Sequence, residues 1–141
     1  MKTMTKKDRD LLLKDLCARL TYGVKVQHNN KKEVFGVVEQ IEAEGDIDLS
    51  YYDEETERWK LCCTSIDNIK PYLRSMSSMT EEEREEFRMI GGVMSYSPQH
   101  NTWAISAFSP EAYDWLLANH FDYRGLIEKG LALEAPEGMY K

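Results

Sequence analysis

The sequence predicts an α+β chain: an N-terminal helix, a small SH3-like or Sm-like curled β-barrel, and a mainly helical C-terminal half. Three observations carry this. Apolar residues recur at helical spacing as far as Leu20, the period then drops to two over four or five short runs separated by polar turns, and helix-start signals return beyond Leu73. At 141 residues and 16.4 kDa the chain fits one compact unit. The expected division is residues 1–76 for helix and barrel and 77–141 for the C-terminal region. The second part is small for independent folding, and Trp103, Trp115 and the apolar run 131–133 read as shared core, so one cooperative unit is expected.

Thr5, with Asp8 three residues on, marks the first helix start, and Leu12, Leu13, Leu16, Cys17 and Leu20 make one apolar stripe. Lys6, Asp10, Lys14 and Asp15 fall opposite, so this helix should lie on a core with Cys17 packed into it. Residues 24–28 alternate, 28–32 form a polar turn, and 34–43 make a long second strand. In that strand Phe35, Val37, Ile41 and Ala43 share one face, and Val34, Gly36 and Val38 the other. Gly36 marks a bend or a close backbone approach of the sort that curls a strand into a barrel. Residues 47–52 and 59–64 alternate again, which places Tyr51 and Trp59 with the core-facing set. Residues 65–68 suit a single helical turn, and 69–73 a short edge strand, because Pro71 has no ladder donor to give.

After a linker at 74–79, Thr80 and Glu83 form a capping box for a helix reaching Met89 or Ile90, and the glycines at 91 and 92 end it. Glu81, Glu82 and Glu83 complement the helix dipole, which explains this acidic cluster by helix physics alone. A hairpin of 93–96 and 103–108 around the turn 98–101 follows. Ser109 before Pro110 is a helix start, and Asp122 is expected to cap a short helix through Leu126 and Ile127 to Gly130. The apolar tail 131–136 should dock back onto the core.

The formal charge of −7 argues against a generic polyanion binder, yet it hides a polarity. Residues 1–32 hold nine Lys/Arg against three Asp/Glu, whereas 33–57 hold ten acidic residues and no Lys or Arg. Three cysteines, Cys17, Cys62 and Cys63, make a poor disulfide framework and read as reduced thiols of a cytoplasmic protein. No signal-peptide core follows the basic start, and no apolar run is long enough for a membrane span.

Residues 70–80, KPYLRSMSSMT, and 120–140, HFDYRGLIEKGLALEAPEGMY, resemble segments of short uncharacterised proteins from gut bacteria, their phages and mobile elements. The resemblance covers about a third of the chain. It implies a cytoplasmic accessory protein and carries no activity onto individual positions.

The sequence holds no recognisable catalytic constellation. His28, His100 and His120 are dispersed, with no paired-histidine zinc motif, no nucleophile elbow and no phosphate loop, so no catalysis and no cofactor are expected. Cys62 and Cys63 read as small strand hydrophobes. Asp46, Asp48 and Asp53 lack the Gly and terminal Glu of a calcium loop, so a solvated acidic face is expected and no metal. The expected function is a protein-interaction module, with an unknown protein partner or self-association of opposed charge blocks. The alternative is single-strand nucleic-acid binding, with Tyr52 and Tyr72 stacking bases and Lys6, Lys7, Lys14, Lys25, Lys31 and Lys32 meeting phosphates. The acidic run inside the same presumed barrel disfavours it.

Overall fold

Thr5 starts the first helix as its sequence demands: its Oγ1 accepts the Asp8 N–H at 3.1 Å, and α1 runs over Lys6–Arg19. A computed structural model describes residues 4–28, 31–99, 102–107 and 109–140, with side chains described outside 31–35, 94, 96–97 and 102–107. The strands that follow are β1 (Lys25–His28), β2 (Lys31–Ile41), β3 (Asp46–Asp53), β4 (Arg58–Ser65) and β5 (Ile69–Leu73). Then come α2 (Glu81–Met89), a hairpin of β6 (Gly92–Ser97) and β7 (Thr102–Ala107), α3 (Pro110–Ala118) and the two-residue β8 (Leu133–Glu134). The expected turn residues Asn29 and Asn30, as well as His100, Asn101 and Phe108, lie outside the described residues.

The expected barrel is not there. Six strands form one open sheet in the order β4-β3-β2-β1-β5-β8, antiparallel throughout except for β5 with β8. Closure would require β4 to reach β5, but the tail takes that place: Tyr72 and Leu73 pair in parallel with Leu133 and Glu134. The expected mainly helical C-terminal half is also corrected. It holds two nine-residue helices, a separate two-stranded hairpin and β8. Gly36 does mark a close approach, since a Cβ there would meet Leu49 Cβ at 3.2 Å, but the approach does not close the sheet. A bulge between Val38 and Gln40 shifts the register, so Ile41 faces Ile47 on the side of Val38 and Leu49 and not on the side of Val37.

One apolar cluster joins Leu12 and Leu16 of α1 to Val26, Val38, Ile47, Leu49 and Leu73 of the sheet and to Leu126, Leu131 and Ala132 near the C-terminus. A second gathers Met76, Met79, Phe87, Ala112, Leu116 and Phe121. Gly92 is part of its wall, because a Cβ at that position would overlap the Phe87 ring.

Two charged residues sit on the buried face of α1. Asp15 and Arg19 are fully buried, one helical turn apart, with Arg19 Nε donating to Asp15 Oδ2 at 2.7 Å. Arg19 Nη2 also donates to the Phe121 carbonyl at 2.6 Å, and Arg124 Nε donates to Asp15 Oδ1 at 3.1 Å. Asp15 thus belongs to the packed face and Cys17 to the exposed one, the reverse of the sequence expectation. Asp122 differs too. Its carboxylate accepts the Leu126 and Ile127 N–H groups at 2.9 Å each and stitches a loop of turns, with no helix formed.

The tail is held by Tyr140, whose hydroxyl sits between β1 and β5, accepting the Lys25 N–H at 2.9 Å and donating to the Tyr72 carbonyl at 2.7 Å. It bridges the backbone of Lys25 and Tyr72, the positions one residue beyond the Val26–Pro71 pair.

Removing one member of a buried ion pair strands the other without compensation. Asp15→Ala is expected to lower unfolding free energy by about 3–5 kcal/mol, read by urea denaturation. The double replacement Asp15→Leu with Arg19→Met should recover most of that loss. A loss under about 1 kcal/mol in the single variant would contradict the assigned geometry.

Candidate interaction surface

Strand β4 is the long free edge of the sheet. Among the described residues no strand pairs with its outer side. Its register with β3 is unbroken from Asp53↔Arg58 to Asp46↔Ser65. The Ile66 N–H donates to the Gly45 carbonyl at 2.8 Å, which fixes the phase of the ladder. Even-numbered residues of β4 therefore turn their backbone groups toward β3, and Trp59, Leu61 and Cys63 turn theirs outward.

The side chains divide the same way. Ile47 and Leu49 of β3 point to the face covered by α1, so Ser50 and Tyr52 point to the other, and with them their cross-strand partners Leu61 and Trp59. Trp59 is 66% exposed, Leu61 74% and Tyr52 47%. Trp59 is thus a surface residue, although alternation alone put it in the core. It meets Tyr52 edge-on, ring centroids 5.7 Å apart. At the hairpin end Lys60 Nζ lies 2.6 Å from Asp53 Oδ2, and this hydrogen bond holds the Asp53 carboxyl below its usual range. On the outer face Cys63 stands opposite Asp48, whose hydrogen bond to the thiol pushes its pKa up and so disfavours the thiolate.

The residues singled out from sequence are not brought together. Lys6, Lys7 and Lys14 are exposed on α1, across the sheet from Tyr52 and Trp59. Lys31 and Lys32 begin β2, and their side chains lie outside the described ones. Tyr72 is only 6% exposed, with its hydroxyl 3.4 Å from Gln27 Nε2, so its ring is not offered to a ligand. Leu61 escaped the sequence reading; its only signal was a bulky apolar residue in a strand next to an acidic turn.

A cleft of about 640 Å³ lies between the residue 74–83 segment and the tail. Its polar groups satisfy one another. Arg74 grips Glu83 with two hydrogen bonds of 2.8 and 2.7 Å, Ser75 Oγ donates to Glu134 at 3.1 Å, and Thr80 and Glu83 complete the capping box. Tyr140 at its wall stacks on His120, centroids 3.6 Å apart. His120 has φ 63 and closes α3, with its own N–H donating to Leu117 O and that of Phe121 to Leu116 O. Its Nδ1 has no hydrogen-bond partner. Burial first, and then the nearby Arg19, Arg74 and Lys25 charges, lower its pKa to about 4.

Among the described residues, no group of three His, Cys, Asp or Glu side chains is placed to hold a metal, and no helix is long and apolar enough to cross a membrane. The chain matches no protein-family profile, no curated protein and no solved structure.

His120 gives the fold a pH dependence of known sign. Its folded pKa of about 4 lies below the ordinary 6.5, so the unfolded chain binds the extra proton between those values. Its contribution is complete above pH 6.5 and falls by up to about 3 kcal/mol as pH drops toward 4. His120→Asn, which tolerates the left-handed backbone, should flatten this part of a stability–pH curve measured by denaturant unfolding. Equal slopes in the two proteins would contradict the assignment.

Proposed function

We propose that the protein is a non-catalytic protein-interaction module that receives a partner strand along β4. The observation that supports this is an eight-residue edge strand on whose outer side no strand pairs among the described residues, with Trp59 and Leu61 standing exposed beside it. Such an edge offers main-chain hydrogen bonds for affinity and alternate side chains for selectivity. A long exposed apolar edge is a liability unless something pairs with it.

Nucleic acid is the poorer fit to the same surface. The exposed aromatics neighbour the acidic turn with Asp53, Glu54, Glu55 and Glu57, and the basic residues of α1 lie across the sheet, so among the described residues these lysines form no basic groove past the rings. The site of action in this reading is the cytoplasm, as an accessory protein, in keeping with the resemblance of its 70–80 and 120–140 segments.

The test pairs two measurements. Affinity capture with wild-type and Trp59→Ala/Leu61→Lys protein, untagged copies of the chain being co-expressed, should yield protein partners that the variant loses. Fluorescence anisotropy against short single-stranded and duplex nucleic acids should stay flat at low and moderate salt. Salt-sensitive nucleic-acid binding that disappears on changing Lys31 and Lys32 would overturn the proposal.

A further inference from the structure

We propose that the strand received by β4 is the β4 strand of a second copy of this chain, paired antiparallel about a two-fold axis perpendicular to the sheet. This rests on β4 being the interaction edge and adds the identity of its occupant.

Symmetry restricts the register. A two-fold axis perpendicular to the sheet keeps each residue on its own face, so one residue of β4 must stand opposite its own equivalent. Centring on Lys60 sets two ammonium groups against each other. Centring on Leu61 sets Leu61 against Leu61 and Trp59 against Cys63 on the outer face, which covers the two most exposed apolar side chains of the strand. In this register the outward backbone groups of Trp59, Leu61 and Cys63 all find partners, as 59 with 63, 61 with 61 and 63 with 59. Cys62 meets Lys60, so no like charges face each other along the strand.

Charge at the two ends of β4 favours a second copy over an unrelated strand. Four residues before Leu61 is Glu57, with Asp53, Glu54 and Glu55 in the same turn. Four residues after it is Ser65, followed by the single turn Ile66–Asn68 against which α1 begins. Arg9 fastens that junction, with Nε 3.7 Å from Asp67 Oδ1 and Nη2 donating to the Glu44 carbonyl at 3.0 Å, and Lys6 and Lys7 lie in the preceding helical turn. Antiparallel pairing about Leu61 therefore carries the acidic turn of each copy to the basic start of α1 in the other, twice by symmetry. Pairing of strands aligned in parallel would set acid against acid.

Sedimentation velocity over a range of protein concentrations, at low and moderate salt, tests this. Wild type should form a dimer that weakens with salt, and Leu61→Lys should weaken it at least tenfold; Leu61 is exposed, so the monomer fold is kept, as circular dichroism will show. Lys6→Glu/Lys7→Glu should weaken the dimer, and adding Glu54→Lys/Glu55→Lys should restore it. In a Cys17→Ser/Cys62→Ser/Cys63→Ser background, Leu61→Cys should cross-link to a covalent dimer on mild oxidation, because facing hydrogen-bonded residues have Cα atoms about 5.5 Å apart, within disulfide range. A wild-type monomer at every concentration, or a dimer indifferent to Leu61→Lys, overturns the self-pairing. If such a monomer still captures another protein through Trp59 and Leu61, only the occupant is wrong; if that capture is absent too, the interaction-module reading falls with it.

Discussion

The architecture hangs on the buried pair of Asp15 and Arg19. A carboxylate and a guanidinium with no solvent exposure depend on the protein for their partners, and beyond each other these come from more than a hundred residues away: the Phe121 carbonyl for Arg19, whose Nη1 has no partner among the described residues, and the Arg124 guanidinium for Asp15. The first helix and the segment after α3 are thereby fixed to one another. Phe121 is in turn clamped to the residue just after β5, where Arg74 N–H donates to the His120 carbonyl and Asp122 N–H to the Arg74 carbonyl. The Arg74 guanidinium lies 4.2 Å over the Phe121 ring. Burial first, and then the charges of Arg19, Arg74 and Lys25, keep His120 neutral.

The tail follows from that anchorage. With residues 120–132 held against the core, 133–134 fall along β5 and Tyr140 reaches between Lys25 and Tyr72. One edge of the sheet is thus occupied by the chain's own terminus, and the opposite edge, β4, is left open. The sheet thus ends in the two-residue β8 on one side and in the eight-residue β4 on the other.

Local signals in the sequence were legible wherever a short-range interaction decides the structure. Thr5, the Thr80–Glu83 capping box and Ser109 before Pro110 all cap helices as their types require, because the partner is three residues away. What could not be read depends on residues distant in the chain. The period-two pattern of β4 shows which residues share a face but not which face is covered, so Trp59 was assigned to a core that α1 builds on the other side. The strand meander suggested a barrel because nothing local reveals that 133–134 will displace β4 from β5. Helical spacing puts Asp15 opposite the apolar stripe; the partners that hold it and Arg19 in the interior lie at 121 and 124. Of the candidate site, Tyr52 was visible as an exposed aromatic, Leu61 was not, and Tyr72 was lost to the Gln27 contact.

Self-complementary charge and an apolar edge that no strand pairs with among the described residues support the proposed occupant, a second copy of the chain. Residue-resolved amide hydrogen exchange along β4, at low and high protein concentration, tests this most directly. The N–H groups of Trp59, Leu61 and Cys63 should exchange rapidly in dilute solution and become protected together as concentration rises, while those of Lys60 and Cys62, turned to β3, stay protected throughout. Exchange at Trp59, Leu61 and Cys63 that is independent of concentration would contradict the account.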